Sequence, residues 1–122
     1  MSKVPKISES EWLVMKVIWD ENSVSSNRVV DILSESTQWN PKTIKTLLSR
    51  LVKKGAVGYE NEGRSYLYYP LIEEQVLVKA ESKSFLKRVF RGALKPMIAT
   101  MVESEDLSEE EIEELKGLLL KK

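Results

Sequence analysis

The sequence predicts a mainly α-helical chain carrying one small β-hairpin, and three observations lead there. The 122 residues are 42% hydrophobic and 31% charged, a balance that favours a folded, helix-rich chain over a disordered one. Apolar residues recur at helical spacing behind good N-cap residues. A single stretch, residues 56–69, sets two β-prone runs about a glycine-bearing turn.

The first helix begins in "ISESEWLVMKVIWDEN", where Ser8 and Glu11 have capping-box spacing and Trp12, Met15, Ile18 and Trp19 form an apolar face. Trp12 and Trp19 lie seven residues apart and read as core residues. The polar break Asn22-Ser23 precedes a second, shorter helix capped by Ser25 or Ser26, burying Val29, Ile32 and Leu33. Asn40 caps a third helix over roughly 41–54: Pro41 fits the first turn, where its missing N–H costs nothing, and Gly55 lies where helices stop. Ile44, Leu47, Leu48 and Leu51 mark its buried stripe. Runs at about 56–60 and 65–69 then flank Asn61-Glu62-Gly63-Arg64 as a hairpin. Three helices followed by such a hairpin make a winged helix-turn-helix.

Beyond Pro70 the chain reads as helices only. A long amphipathic helix ends near Gly92, with Val76, Val78, Phe85, Leu86, Val89 and Phe90 available for burial. A shorter one starts at Pro96, and a last one follows the capping box of Ser108 and Glu111. The division predicts a winged-helix DNA-binding domain at 1–71 and a helical homodimerisation domain at 72–122. Phe85, Leu86, Val89, Phe90, Ile112, Leu115, Leu118 and Leu119 are the expected dimer contacts. One long and two shorter helices cannot bury so many apolar residues alone, and a two-fold dimer matches a palindromic operator.

Composition narrows function. The absence of cysteine and histidine removes disulfides, thiolate metal sites, and the commonest general base and transition-metal ligand. No catalytic residues, metal site, cofactor or small-molecule substrate are expected. The acidic run after Ser108 lacks the alternating oxygen ligands and glycine of a calcium loop. The N-terminus lacks a signal-peptide core, and no apolar run reaches membrane-spanning length, so a cytoplasmic protein is expected.

Formal net charge is zero, yet charge is sorted along the chain. Residues 40–54, "NPKTIKTLLSRLVKK", hold Lys42, Lys45, Arg50, Lys53 and Lys54 and no acid, whereas "ESEDLSEEEIEE" is almost wholly acidic or polar. A helix entering the major groove needs cations for phosphates and short polar side chains for base edges. Lys42, Thr43, Lys45, Thr46, Arg50, Lys53 and Lys54 are therefore the expected DNA-binding residues, with Arg64 at the wing tip. The alternative is a protein-interaction module whose basic helix docks an acidic partner.

The blocks "ISESEWLVMKVIW", "NPKTIKTLLSRLVKKG", "GRSYLYYPLI" and "VESEDLSEEEIEEL" resemble the BlaI/MecI family of bacterial penicillinase and methicillin-resistance repressors, from about Ile7 to the C-terminus. The resemblance implies a cytoplasmic homodimer that binds palindromic operators and represses β-lactam-resistance genes. It makes the helix from Pro41 the recognition helix, with Lys42, Thr43, Thr46 and Arg50 matching the DNA-contacting pattern. It further implies release by cleavage of the dimerisation domain after a membrane sensor-protease detects antibiotic. The family's bond lies between Asn and Phe; the aligned bond here is Thr100–Met101, a departure that leaves a repressor answering another signal as the alternative. Copper-responsive CopY repressors share the winged helix but carry a C-terminal cysteine cluster, which this chain lacks.

Overall fold

The computed structural model describes residues 4–122. It divides into two compact units, Met1–Glu81 and Ser82–Lys122.

In the first unit, helix α1 (Glu9–Glu21) starts at the capping box: Ser8 Oγ accepts from the Glu11 N–H, and Glu11 Oε1 accepts from the Ser8 N–H at 2.8 Å. A two-residue strand β1 (Val24–Ser25) follows, and Ser25 caps α2 (Ser26–Ser36). Helix α3 (Pro41–Lys53) leads into β2 (Val57–Glu62) and β3 (Ser65–Pro70). The sheet is three-stranded and antiparallel in the order β1-β3-β2, with Val24 opposite Tyr68. The sequence reading expected only the hairpin; Val24–Ser25 is too short to carry an alternating pattern, and its strand character comes from pairing with β3. Gly63 turns the hairpin at φ +68°, a conformation a side chain would oppose.

Helices α1, α2 and α3 pack on one another around a single core. Val14, Met15 and Ile18 meet Val29 and Leu33, and Ile44, Leu48 and Leu51 close the far side, all at 3% exposure or less. Trp12 and Trp19 are only half-buried, packing on the core's edge rather than within it.

Helix α4 (Glu74–Phe90) corrects two expectations. Its residue in the first unit's core is Leu77, 2% exposed, while Val76 and Val78 on either side are 44% and 41% exposed. Because Leu77 packs into that core, the compact units divide at Glu81/Ser82, inside α4, rather than after residue 71.

The second unit comprises the rest of α4 with α5 (Leu94–Ser104) and α6 (Glu109–Leu120). Helix α5 starts two residues before the expected Pro96, and its N-cap, Ala93, offers no side-chain cap. Ser108 and Glu111 form the expected capping box of α6. Neither α5 nor α6 has a buried residue.

Candidate nucleic-acid interface

Helix α3 is built to present one face outward. Asn40 Oδ1 accepts from the Thr43 N–H at 2.9 Å, and Pro41 opens the first turn, so the start of the helix is fixed by local chemistry. Ile44, Leu47, Leu48 and Leu51 are buried at 5% exposure or less. That burial turns Lys42, Thr46, Ser49 and Lys53, spaced i, i+4, i+7 and i+11, to solvent, flanked by Thr43, Lys45 and Arg50.

None of the four ion pairs among the described residues involves Lys42, Lys45, Arg50 or Lys53. Four cations on one exposed helix thus lack an internal carboxylate partner, which leaves them available to an external anion. Thr46 Oγ1 donates to the Lys42 carbonyl at 2.9 Å. Its hydroxyl proton is committed to the backbone, so Thr46 offers outward lone pairs and a methyl group.

Lys54, which the sequence reading groups with the phosphate contacts, has an internal partner. Its ammonium donates to Glu11 Oε1 and to the Lys6 carbonyl, 2.8 Å away. Glu11 is 1% exposed and is the one buried charged residue in the structure described. Burial pushes the Glu11 carboxyl up, but the Lys54 ammonium and the Ser8 N–H and hydroxyl outweigh it, leaving its pKa below the ordinary 4.5. Lys54 therefore ties the end of α3 to the start of α1. The capping box signalled Glu11's bond to Ser8, but nothing in the sequence signals a partner 43 residues away.

The wing adds an aromatic surface. Tyr59 stands opposite Tyr68, and Tyr66 lies two residues before Tyr68, so the three share one face of the hairpin. Tyr59 and Tyr66 meet edge to face at 5.0 Å and are 50% and 46% exposed. With Ser49, Val52 and Lys53 they line a shallow cleft of about 320 Å³ between α3 and the wing. Strand alternation divides the tyrosines between faces without saying which face abuts α3; the shared cleft shows that it is the face of Tyr59, Tyr66 and Tyr68. Arg64 is exposed in the wing-tip turn, with Glu62 two residues before it and Glu60 further back along β2.

In the second unit, Phe85, Leu86 and Phe90 are half-buried, the two rings 6.0 Å apart. Val89 is 52% exposed, and Ile112, Leu115, Leu118 and Leu119 are 38–62% exposed. Met97, Ile98, Met101, Val102, Leu107, Leu115, Leu118 and Leu119 line an apolar groove of about 430 Å³. Thr100 and Met101 are exposed and lie inside α5. No helix among the described residues is long and apolar enough to cross a membrane, and no acidic cluster there is able to hold a metal ion.

The family model described as penicillinase repressor matches residues 7–121. The chain belongs to the penicillinase repressor family. Within it, the chain is 45% identical to the Penicillinase repressor of Bacillus licheniformis, covering 98% of this chain and 93% of that one. It is 39% identical to the methicillin resistance regulatory protein MecI of Staphylococcus aureus, covering 99% and 98%. Among solved structures it is similar to the monomeric form of Bacillus licheniformis BlaI in complex with the blaP half-operator. That match has 49% identity and a TM-score of 0.54, covering 62% of this chain and 92% of that one. The fold expectation, a winged helix-turn-helix followed by a helical segment, is thereby met.

Proposed function

We propose that this chain is a homodimeric transcriptional repressor that binds a palindromic operator through α3 and controls β-lactam-resistance genes. The observation that carries the reading is the outward face of α3, four cations without internal partners beside Thr43 and Thr46. It is supported by the family's name and by the relative whose monomeric form was solved in complex with a half-operator.

In this reading Lys42, Lys45 and Lys53 hold phosphates, and Arg50, Thr43 and Thr46 approach base edges. Arg50's planar fork suits the two acceptors of a guanine. The Thr46 methyl, its hydroxyl proton being engaged, suits a thymine methyl. Arg64 contacts the backbone beside the wing. The exposed leucines of α6 with Met97, Ile98 and Met101 form the two-fold interface, and Phe85, Leu86, Val89 and Phe90 extend it. The protein acts in the cytoplasm, and a membrane sensor-protease relieves repression by cutting at Thr100–Met101. A peptide bond inside a helix must first be unwound to enter a protease, and α5, with no buried residue, opens at low cost.

The test is selection of bound duplexes from random-sequence DNA by the purified full-length chain, followed by titration across salt. A palindrome is expected, with log affinity falling against log salt at a slope near −7, from about eight phosphate contacts per dimer. Binding without sequence preference would refute the repressor reading, and no binding to duplex would favour a protein-docking helix.

A further inference from the structure

Helix α5 carries its charges in the wrong order for a helix standing alone. Arg91 and Lys95 flank its start and Glu103, Glu105 and Asp106 its end, with no charged residue between Lys95 and Glu103. A helix start is the positive end of the macrodipole and its end the negative one, so the backbone opposes both groups. Helix α6, in contrast, has Glu109, Glu110 and Glu111 in its first turn and Lys121 at its C-cap. Helix α5 also starts without a side-chain cap and buries no residue, and a helix of 11 residues is marginal in water by itself. No ion pair among the described residues involves Lys95 or Glu103.

One face of α5 is shaped for a partner. Leu94, Ile98 and Val102 form one row along the helix, and Lys95, Ala99 and Glu103 form the next. Leu94 and Val102 are 53% and 44% exposed, Ile98 is half-buried, and the second row is exposed throughout. With Leu119 of α6, these two rows line an open hollow of about 630 Å³ up to Val102. Lys95 and Glu103 lie about 12 Å apart along the axis, beyond the one-turn reach of ion pairs within a helix. Ala99 lies midway between them.

We propose that two copies of α5 pair antiparallel about a two-fold axis at Ala99, with Lys95 of each chain against Glu103 of the partner subunit. The inference rests on the dimeric reading above and adds to it the direction and axis of the interface. A two-fold axis crossing a helix at right angles reverses its direction, so an axis at Ala99 forms the Lys95–Glu103 pair twice. The carboxylates then stand beside a positive helix start and the ammonium groups beside a negative end, so the order that opposes each helix alone suits the pair. The Ala99 methyl lets the two backbones approach, and Leu94, Ile98 and Val102 pack beside the crossing. A parallel pair would set Lys95 against its own copy instead.

The experiment is sedimentation of the full-length chain across concentration and salt. Lys95→Glu and Glu103→Lys should each weaken dimerisation about tenfold at low salt, since each sets like charges together at both ends. The loss should shrink to about twofold near 1 M salt, where the Debye length is about 3 Å. An equimolar mixture of the two variants should dimerise as wild type does, because every altered side chain then meets an opposite charge. If either variant loses helix content by circular dichroism, Lys95→Gln and Glu103→Gln serve. Each should weaken dimerisation about threefold, and their mixture should recover part of the loss. Wild-type dimerisation by either reversed chain, or a mixture as weak as its components, overturns the antiparallel pairing. So does a Lys95→Glu chain that dimerises normally yet binds duplex less tightly, which would give Lys95 to phosphate. Wild-type protein sedimenting at the single-chain mass at micromolar concentration refutes the dimeric reading itself, before any variant is made.

Discussion

Removing the Lys54 ammonium is the perturbation that best separates a structural cation from a DNA-binding one. Lys54→Met keeps most of the side-chain length but leaves Glu11, 1% exposed, with only Ser8 as a hydrogen-bond donor. Breaking a buried pair by removing one partner costs about 3–5 kcal/mol. Lys54 is itself 34% exposed, so water reaches the pair from one side and the expected cost is reduced to about 2–3 kcal/mol. With a urea slope of about 1–3 kcal/mol/M, the unfolding midpoint should fall by about 0.7–3 M. Trp12, Trp19 and Trp39 all lie in the first unit, so tryptophan fluorescence reports its unfolding directly.

The sign of the pH dependence provides a second check. In the native chain the Glu11 carboxyl titrates below its ordinary value, so its contribution is present above pH 4.5 and is lost as pH falls through the folded value. Without Lys54, burial dominates and raises that carboxyl, so protonation relieves the variant as pH falls. The gap between wild type and Lys54→Met should therefore shrink from pH 7 to pH 3. Glu11→Gln in the Lys54→Met background should recover much of the loss by removing the unpaired charge. Operator affinity and its salt slope should be unchanged at pH 7 for Lys54→Met protein that is still folded. A cost under about 0.5 kcal/mol, or a salt slope reduced by about one, would refute the internal role and return Lys54 to the phosphate contacts.

Three further outcomes are expected. Arg50→Ala should weaken cognate operator by about 1–3 kcal/mol and relax preference at one position per half-site, measured by competition among single-base operator variants. Lys53→Ala should weaken operator and random duplex alike and lower the salt slope, read by band-shift titration between low and moderate salt. Leu118→Asp, placing a charge in the apolar groove of the second unit, should shift sedimentation at micromolar concentration from twice the chain mass to the single-chain mass.

The helices of the winged unit were largely legible because their signals are local. Ser8 with Glu11, Ser25, Asn40 with Pro41, and the stripe from Ile44 to Leu51 each act within one or two turns, and each stands where the residues implied. What was not legible depends on partners distant in sequence. Val24–Ser25 becomes a strand only because β3 lies beside it. Leu77, rather than its valine neighbours, is buried because the core meets α4 on that side. The tyrosines could be divided between two faces, but the face toward α3 was assigned only by the cleft that Tyr59, Tyr66 and Tyr68 share with Ser49, Val52 and Lys53.

The same distinction governs the charge on α3. A segment with five cations and no acid invites the inference that all five face an external anion. The helix ends, however, where its last turn meets α1, and a cation there encounters the buried Glu11 before it encounters solvent. Lys42, Lys45, Arg50 and Lys53 lie on turns whose opposite side is wholly apolar, so nothing internal competes for them. Lys54 lies three residues past Leu51 and seven past Leu47, so it continues the buried stripe and points back toward α1 rather than outward with Lys53. The excess of charge on a helix thus identifies a binding face, whereas the continuity of the buried stripe opposite decides which of its charges belong to that face.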